Sequence, residues 1–305
     1  MDSITVVIPT YNRAPVLKKA LEGYLAQQTL DAIHELLVVD DGSTDETKSV
    51  VDEISRRAPF SVRYFRQENK GPAAARNLGI REAQADVILF TDSDIVPAQD
   101  LVQQHLAWHR QNPERSTAVL GYVTWPPEPP PTPFMRWYGE YGPLFGYREL
   151  RGQLEVDCRY FYTCNLSLKV QFLKICGQFD EDFKQAAFED IELGYRLSKL
   201  GLKLLYNCGA IAYHHQFFSF EDACRKARAN RNAARTYVRK EAGAELNAYR
   251  MRKESRLTYR ITRWAATQVA TTLKPVRRVL DSALPLPTII YRLFFWYHAI
   301  WRDKD

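Results

Sequence analysis

No stretch of the chain holds the roughly 18 uninterrupted apolar residues that a bilayer-spanning helix needs. Its first residues, MDSITVVIPTYNR, lack the charged and then apolar stretches of a secretory signal, so a cytoplasmic protein is expected. Cysteine is scarce. Cys158, Cys164, Cys176, Cys208 and Cys224 are odd in number and show no CxxC spacing, which argues against a disulfide framework or a zinc site. There is no internal repeat. There is also no Gly-rich, Lys/Arg-containing loop by the first strand of the kind that cradles a triphosphate, which disfavours a nucleotidyltransferase. What remains is ordinary globular material, 46% apolar and 26% charged. Its 305 residues are enough for one large domain or two small ones.

The first hundred residues alternate between strand and helix patterns. Ile4–Pro9 reads as a strand and Ala14–Gln28 as an amphipathic helix. Leu36–Asp40 is a second strand. Ser43-Thr44-Asp45-Glu46 fits a capping box opening a helix that runs to about Arg57. Val62–Phe65 is a short strand, Ala73–Gln84 a helix after Gly71-Pro72, and Asp86–Phe90 the next strand. This alternation predicts an α/β fold with a mostly parallel sheet sandwiched by helices. Trp125–Pro133 (WPPEPPPTP) can be neither helix nor central strand. It separates residues 1–124 from residues 125–220.

Three acidic clusters stand out: Asp40-Asp41, Asp92-Ser93-Asp94 and Glu189-Asp190. The first two end apolar, β-prone runs. Carboxylates there line the crevice at the carboxyl ends of the strands, where open α/β sheets bind ligands. They suit a divalent cation, the polar edge of a nucleotide base, or acid–base work.

Five ordered motifs, VVIPTYNR, VVDDGSTDET, NKGPAAARNLGI, FTDSD and FEDIELGYR, resemble those of the family 2 glycosyltransferases over roughly residues 1–220. The resemblance implies a GT-A fold and inverting sugar transfer from a nucleotide diphosphate donor, a UDP-sugar first, with Mn²⁺ or Mg²⁺. It places Pro9, Thr10 and Tyr11 along the nucleotide, and Asp41 on the uracil N3–H. It puts Arg76 near the donor, with Lys70 and Asn77 as weaker candidates. Asp94 would bind the metal directly. Asp92 would contact ribose or metal, beside Ser93. Asp190 would be the general base and Glu189 would orient the acceptor, although both acids could merely cap the helix Ile191–Leu200. His214, more than His215, is a metal or phosphate candidate after the strand Ala210–Tyr213. Asp40 would hold its loop, and Arg76 could bridge to a strand-end aspartate in place of its donor contact or together with it. Cys164-Asn165-Leu166-Ser167 resembles a segment near the acceptor. The aromatics Trp137, Tyr138, Tyr141, Phe145 and Tyr147 read slightly better as core than as a stacking surface. A catalytically silent sugar-nucleotide-binding or scaffold subunit is the reading outside enzymes, disfavoured by the three intact clusters.

The resemblance leaves residues 221–305 uncovered, and a helical extension is expected there. Arg225 to Arg278 carries sixteen Lys or Arg against three acids, a balance of +13 in a chain of net +6, so the remainder is −7. Leu284–Trp301 (LPLPTIIYRLFFWYHAIW) follows, apolar and aromatic but too short to span a bilayer. Tyr291, Trp296, Tyr297 and Trp301 favour a membrane–water interface. A basic segment beside such a helix reads equally as peripheral attachment to anionic lipid, with a lipid-linked or glycan acceptor, or as a C-terminal helix docked on the catalytic domain or making a dimer contact. No nucleic-acid motif is present.

Overall fold

The structure is a computed structural model and describes residues 3–245, 263–269, 272 and 274–301. It divides into two compact units: Met1–Thr124 with Gly152–His215, and Trp125–Arg151 with Gln216–Asp305.

The first unit is built on an eight-stranded sheet. Its strands are β1 (Ile4–Thr10), β2 (Ile33–Asp40), β3 (Ser61–Arg66), β4 (Val87–Thr91), β5 (Ile95–Pro97), β6 (Thr117–Thr124), β7 (Asn165–Lys169) and β8 (Lys203–His214). Their order is β3-β2-β1-β4-β7-β6-β8-β5. β1 pairs in parallel with β2 and β4, β2 with β3, and β6 with β8. β7 runs antiparallel to β4 and β6, and β5 to β8. β1 and β4 are almost wholly buried, the pattern of strands covered on both faces.

The helices of this unit are α1 (Ala14–Leu25), α2 (Thr47–Ser55), α3 (Pro72–Glu82), α4 (Leu101–Gln111), α6 (Val170–Cys176) and α7 (Glu189–Lys199); α5 belongs to the second unit. α3 starts with Gly71 at φ +93° and Pro72 in its first turn, a fixed entry into the helix. The capping box expected at Ser43–Glu46 does not form. Ser43 Oγ instead accepts from Asn12 N at 2.8 Å. Asp45 Oδ1 accepts from Thr47 N and Oγ1, and its Oδ2 from Ala14 N at 2.9 Å. The same residue types therefore stitch the loop after β1 to the loop after β2.

The register explains the clustering of functional candidates. Thr10 lies beside Asp40, and Thr91, which precedes Asp92, lies beside Asn165. Ile95, which follows Asp94, lies beside His214. All three acidic segments of the sequence therefore have neighbours along one edge of the sheet or in α7.

The second unit contains α5 (Pro133–Glu140), α8 (Phe220–Ala229), α9 (Arg231–Arg239) and α10 (Thr288–Phe295), followed by a π-helical turn, Trp296–Trp301. Thr132 caps α5 through Met135 N, and Ser219 with Asp222 forms a capping box on α8. Its core is aromatic: Phe134, Trp137 and Tyr138 pack with Phe220, Tyr291, Phe294 and Phe295. Trp137 stacks on Tyr291 with ring centroids 5.7 Å apart. Trp137, Tyr138 and Tyr147 are therefore core residues, whereas Tyr141 is exposed. The boundary expected at 220/221 shifts, because the aromatics of 125–151 share their core with the helices after 216. Of the expected basic extension, residues 246–262 lie outside the described residues. No helix among the described residues is long and apolar enough to cross a membrane.

Candidate active site

Each acidic cluster is held by specific donors. Asp40 accepts from Ser43 N at 2.8 Å and from the Tyr64 hydroxyl at 2.5 Å, which ties down its loop. Asp41 Oδ1 accepts from Gln67 Nε2 at 2.7 Å and Lys70 N at 2.8 Å, and Oδ2 from Gly71 N at 2.9 Å. A carboxylate offers about four acceptor positions, so the Asp41 side chain keeps roughly one for a ligand. Thr10 is buried and its Oγ1 makes no hydrogen bond among the described residues. Tyr11 is exposed, and Pro9 is the partly buried penultimate residue of β1.

Arg76 links two of the clusters. Its Nη1 donates to Glu189 Oε1 at 2.7 Å and its Nη2 to Asp92 Oδ1 at 2.8 Å. It is buried, with its guanidinium over the Phe179 ring. Burial works against its charge, but Asp92, Glu189 and Asp190 outweigh it and hold the pKa above the ordinary arginine value. The bridging role open in the sequence is thus the one seen. Asn77 faces elsewhere: its amide donates to Phe179 O and Glu181.

Glu189 and Asp190 open α7. The residue before them, Phe188, adopts φ 71° and ψ −13°, a left-handed conformation that costs a side-chain-bearing residue roughly 1–2 kcal/mol. Strain of this kind gathers at functional sites. Because Phe188 occupies the capping position, Asp190 already lies inside the helix. Its Oδ1 accepts a local bond from Ile191 N at 2.8 Å. Burial, then the neighbouring charge of Glu189, pushes the Asp190 carboxyl from its ordinary 3.8 up to about 7, with Arg76 opposing. Burial likewise raises Glu189. Glu189 Oε2 and Arg76 Nε are buried without a hydrogen-bond partner among the described residues.

The DSD segment completes the edge. Asp92 is half-exposed toward the Arg76 contact, Ser93 is buried, and Asp94 is almost fully buried. Asp94 Oδ2 accepts from Arg13 Nη1 at 2.5 Å, and its carbonyl accepts from His215 N at 2.7 Å. His214 is buried at the end of β8. The Cys164 thiol, just before β7, is pushed well up by burial and then by Asp92 and Asp190, with Arg76 opposing.

Among the described residues no three His, Cys, Asp or Glu side chains converge as a metal cage. Asp94 and Asp92 fit instead a hard cation held by one or two carboxylates and completed by phosphate oxygens. Sequence reasoning missed Arg13, Gln67 and Phe188. Arg13 lies within the quoted VVIPTYNR motif, and its signal was a cation directly before a helix in a chain with three unpaired acidic clusters. Nothing in the sequence marks the backbone of Phe188.

The chain matches the family model described as "Glycosyl transferase family 2" over residues 5–167. It is 36% identical over 225 residues to validoxylamine A glucosyltransferase of Streptomyces hygroscopicus subsp. jinggangensis (strain 5008), covering 66% of this chain and 52% of that protein. The chain therefore spans about half the length of this relative. Among solved structures it resembles the mannosyltransferase PcManGT from Pyrobaculum calidifontis in complex with GDP-Man and Mn²⁺, with TM-score 0.61 and 19% identity over 99% of this chain and 88% of that one. It also resembles Staphylococcus aureus TarS 1-349 in complex with UDP, with TM-score 0.57 and 16% identity over 99% and 92% of the two chains. These two likenesses are of fold, and the fold is the GT-A type.

Proposed function

The chain belongs to glycosyl transferase family 2, and from that premise we propose that it transfers a sugar from a nucleotide diphosphate donor, a UDP-sugar, to a hydroxyl of a glycan or lipid-linked acceptor with inversion. The observation that carries this reading is Asp190. It is a carboxyl raised by burial and by Glu189 to a pKa of about 7, and the partner of Glu189, Arg76, also holds Asp92. A base with a pKa near the working pH accepts a proton most usefully. Asp190 takes the acceptor hydroxyl proton as that oxygen bonds to the anomeric carbon. The bond from that carbon to the nucleotide diphosphate breaks, and its electrons leave with the diphosphate. A single carboxylate serves one inverting displacement.

The remaining residues position the donor. Thr10, Tyr11 and the free acceptor position of Asp41 would meet the nucleoside. Asp94 with Asp92, and His214 as a further candidate, would hold Mn²⁺ or Mg²⁺, which when bound offsets the charge of the diphosphate. Three buried polar atoms without partners among the described residues, Thr10 Oγ1, Arg76 Nε and Glu189 Oε2, support a ligand here, since such atoms are rare in folded proteins. Peripheral contact with anionic membrane is part of the proposal, supported by the +13 balance of Arg225 to Arg278.

Calorimetric titration of UDP, with Mn²⁺ and with chelator, tests the donor. Metal-dependent binding is expected; binding of GDP or dTDP alone would overturn the uridine assignment. Asp190→Asn should then lose transfer by about 10²–10⁴-fold, the usual contribution of a positioned base, while UDP binding persists. Retained turnover would refute the base.

A further inference from the structure

We propose that Arg13 is the resident counter-cation of the Asp94 carboxylate, and that on donor binding it gives up Asp94 and takes the donor diphosphate. This rests on the nucleotide-sugar reading above. The pair is asymmetric. Arg13 Nη1 lies 2.5 Å from Asp94 Oδ2, with side chains 43% and 8% exposed. A carboxylate so enclosed requires a compensating charge. In this structure a guanidinium supplies it, on the carboxylate expected to meet a divalent cation. Both cations would contend for the same oxygens.

The local structure suits an exchange. The backbone on either side of Arg13 is fixed: Asn12 N donates to Ser43 Oγ at 2.8 Å, Asn12 Oδ1 accepts from Thr44 N at 2.8 Å, and Ala14 N donates to Asp45 Oδ2 at 2.9 Å. The side chain on this fixed pivot is long and half-exposed, so it can swing without moving the loop. Arg76 differs, being buried and held by two carboxylates. A planar guanidinium also binds phosphate oxygens two at a time. Arg13 therefore offsets the Asp94 charge at rest and can move its own charge to the incoming diphosphate.

Mn²⁺ titration of the nucleotide-free full chain, followed by electron paramagnetic resonance, tests this without turnover. Arg13→Met should bind Mn²⁺ more tightly than the parent, by about tenfold or more, the scale of one charged hydrogen bond. Adding Asp94→Asn should erase that gain. Arg13→Lys, which keeps the charge but loses the fork, should fall between parent and Arg13→Met. With Mn²⁺ present, Arg13→Met should bind UDP more weakly by calorimetry. Unchanged or weaker Mn²⁺ binding in a folded Arg13→Met overturns the proposal, as does undiminished UDP binding. If the parent binds none of UDP, GDP and dTDP, the donor reading fails, an outcome distinct from the Mn²⁺ comparison.

Discussion

At the scale of single residues, Asp190 ties stability to activity through one proton. As the proposed base it must be ionised, so kcat/KM should rise with pH and level off above about 7, falling about tenfold per unit below that. The sign for stability is opposite. An aspartate raised from 3.8 to about 7 on folding holds a proton, between those pH values, that the unfolded chain has released. Folding stability is therefore lost as pH rises through that window, and the full cost stands above 7. Asp190→Asn removes the Asp190 share of this dependence. Its thermal midpoint should match the parent near pH 4 and exceed it by a few degrees at pH 8. A variant less stable than the parent at pH 8 would show that the carboxylate is compensated in a way the geometry does not convey. The place of Asp190 at the start of a helix was legible in the sequence because FEDIELGYR is a local pattern. The strained backbone at Phe188 was not, since Phe has no preference that reveals a positive φ.

At the scale of elements, α3 positions Arg76 only because Gly79 lets the helix sit close on β1. A Cβ at Gly79 would meet Val7 Cγ1 at 2.4 Å and Cγ2 at 2.9 Å. Gly79→Ala gains at most about 1 kcal/mol of helix propensity. The overpacking costs about 1–3 kcal/mol, and at 2.4 Å the upper end applies. The helix must move off the strand and carry Arg76 from Glu189 and Asp92. A lower urea midpoint and a disproportionate loss of kcat are expected; an unchanged midpoint with full activity would show that α3 has slack. Strands and helices of this half were readable because their periodicity and their Gly and Pro stops are local. The ends were not: the helix from Ala14 stops at Leu25 rather than Gln28. The Ser43–Glu46 reading failed for a tertiary reason. Asn12 and Ala14, some thirty residues earlier, present the backbone N–H groups that Ser43 and Asp45 accept. Pairings of this kind, like Arg13 with Asp94, exist only after the strands have chosen neighbours.

At the scale of the whole molecule, charge and aromatic content lead to different expectations for a membrane. Arg225 to Arg278 carries +13 while the rest of the chain carries −7. Part of that cationic surplus is spent internally: Arg228 and Arg277 pair with Glu221, and Arg225 with Asp222. The aromatic end is committed further. Tyr291, Phe294 and Phe295 are core residues of the second unit, so Tyr291 is not offered to an interface. Large apolar groups left exposed there include Trp264, Leu284 and Ile289, with Trp264 65% exposed. Attachment to lipid then depends on charge, at about 1 kcal/mol for each Lys or Arg near an anionic surface. The chain should float with vesicles containing anionic lipid at low salt and be released at about 0.5 M salt, where the Debye length is only a few ångströms. Vesicles of neutral lipid should leave it behind. Flotation that resists salt would mean that α10 leaves its core and inserts, a change that exposes Trp137 and should appear as altered tryptophan fluorescence. Absence from both kinds of vesicle would remove membrane contact from the proposal.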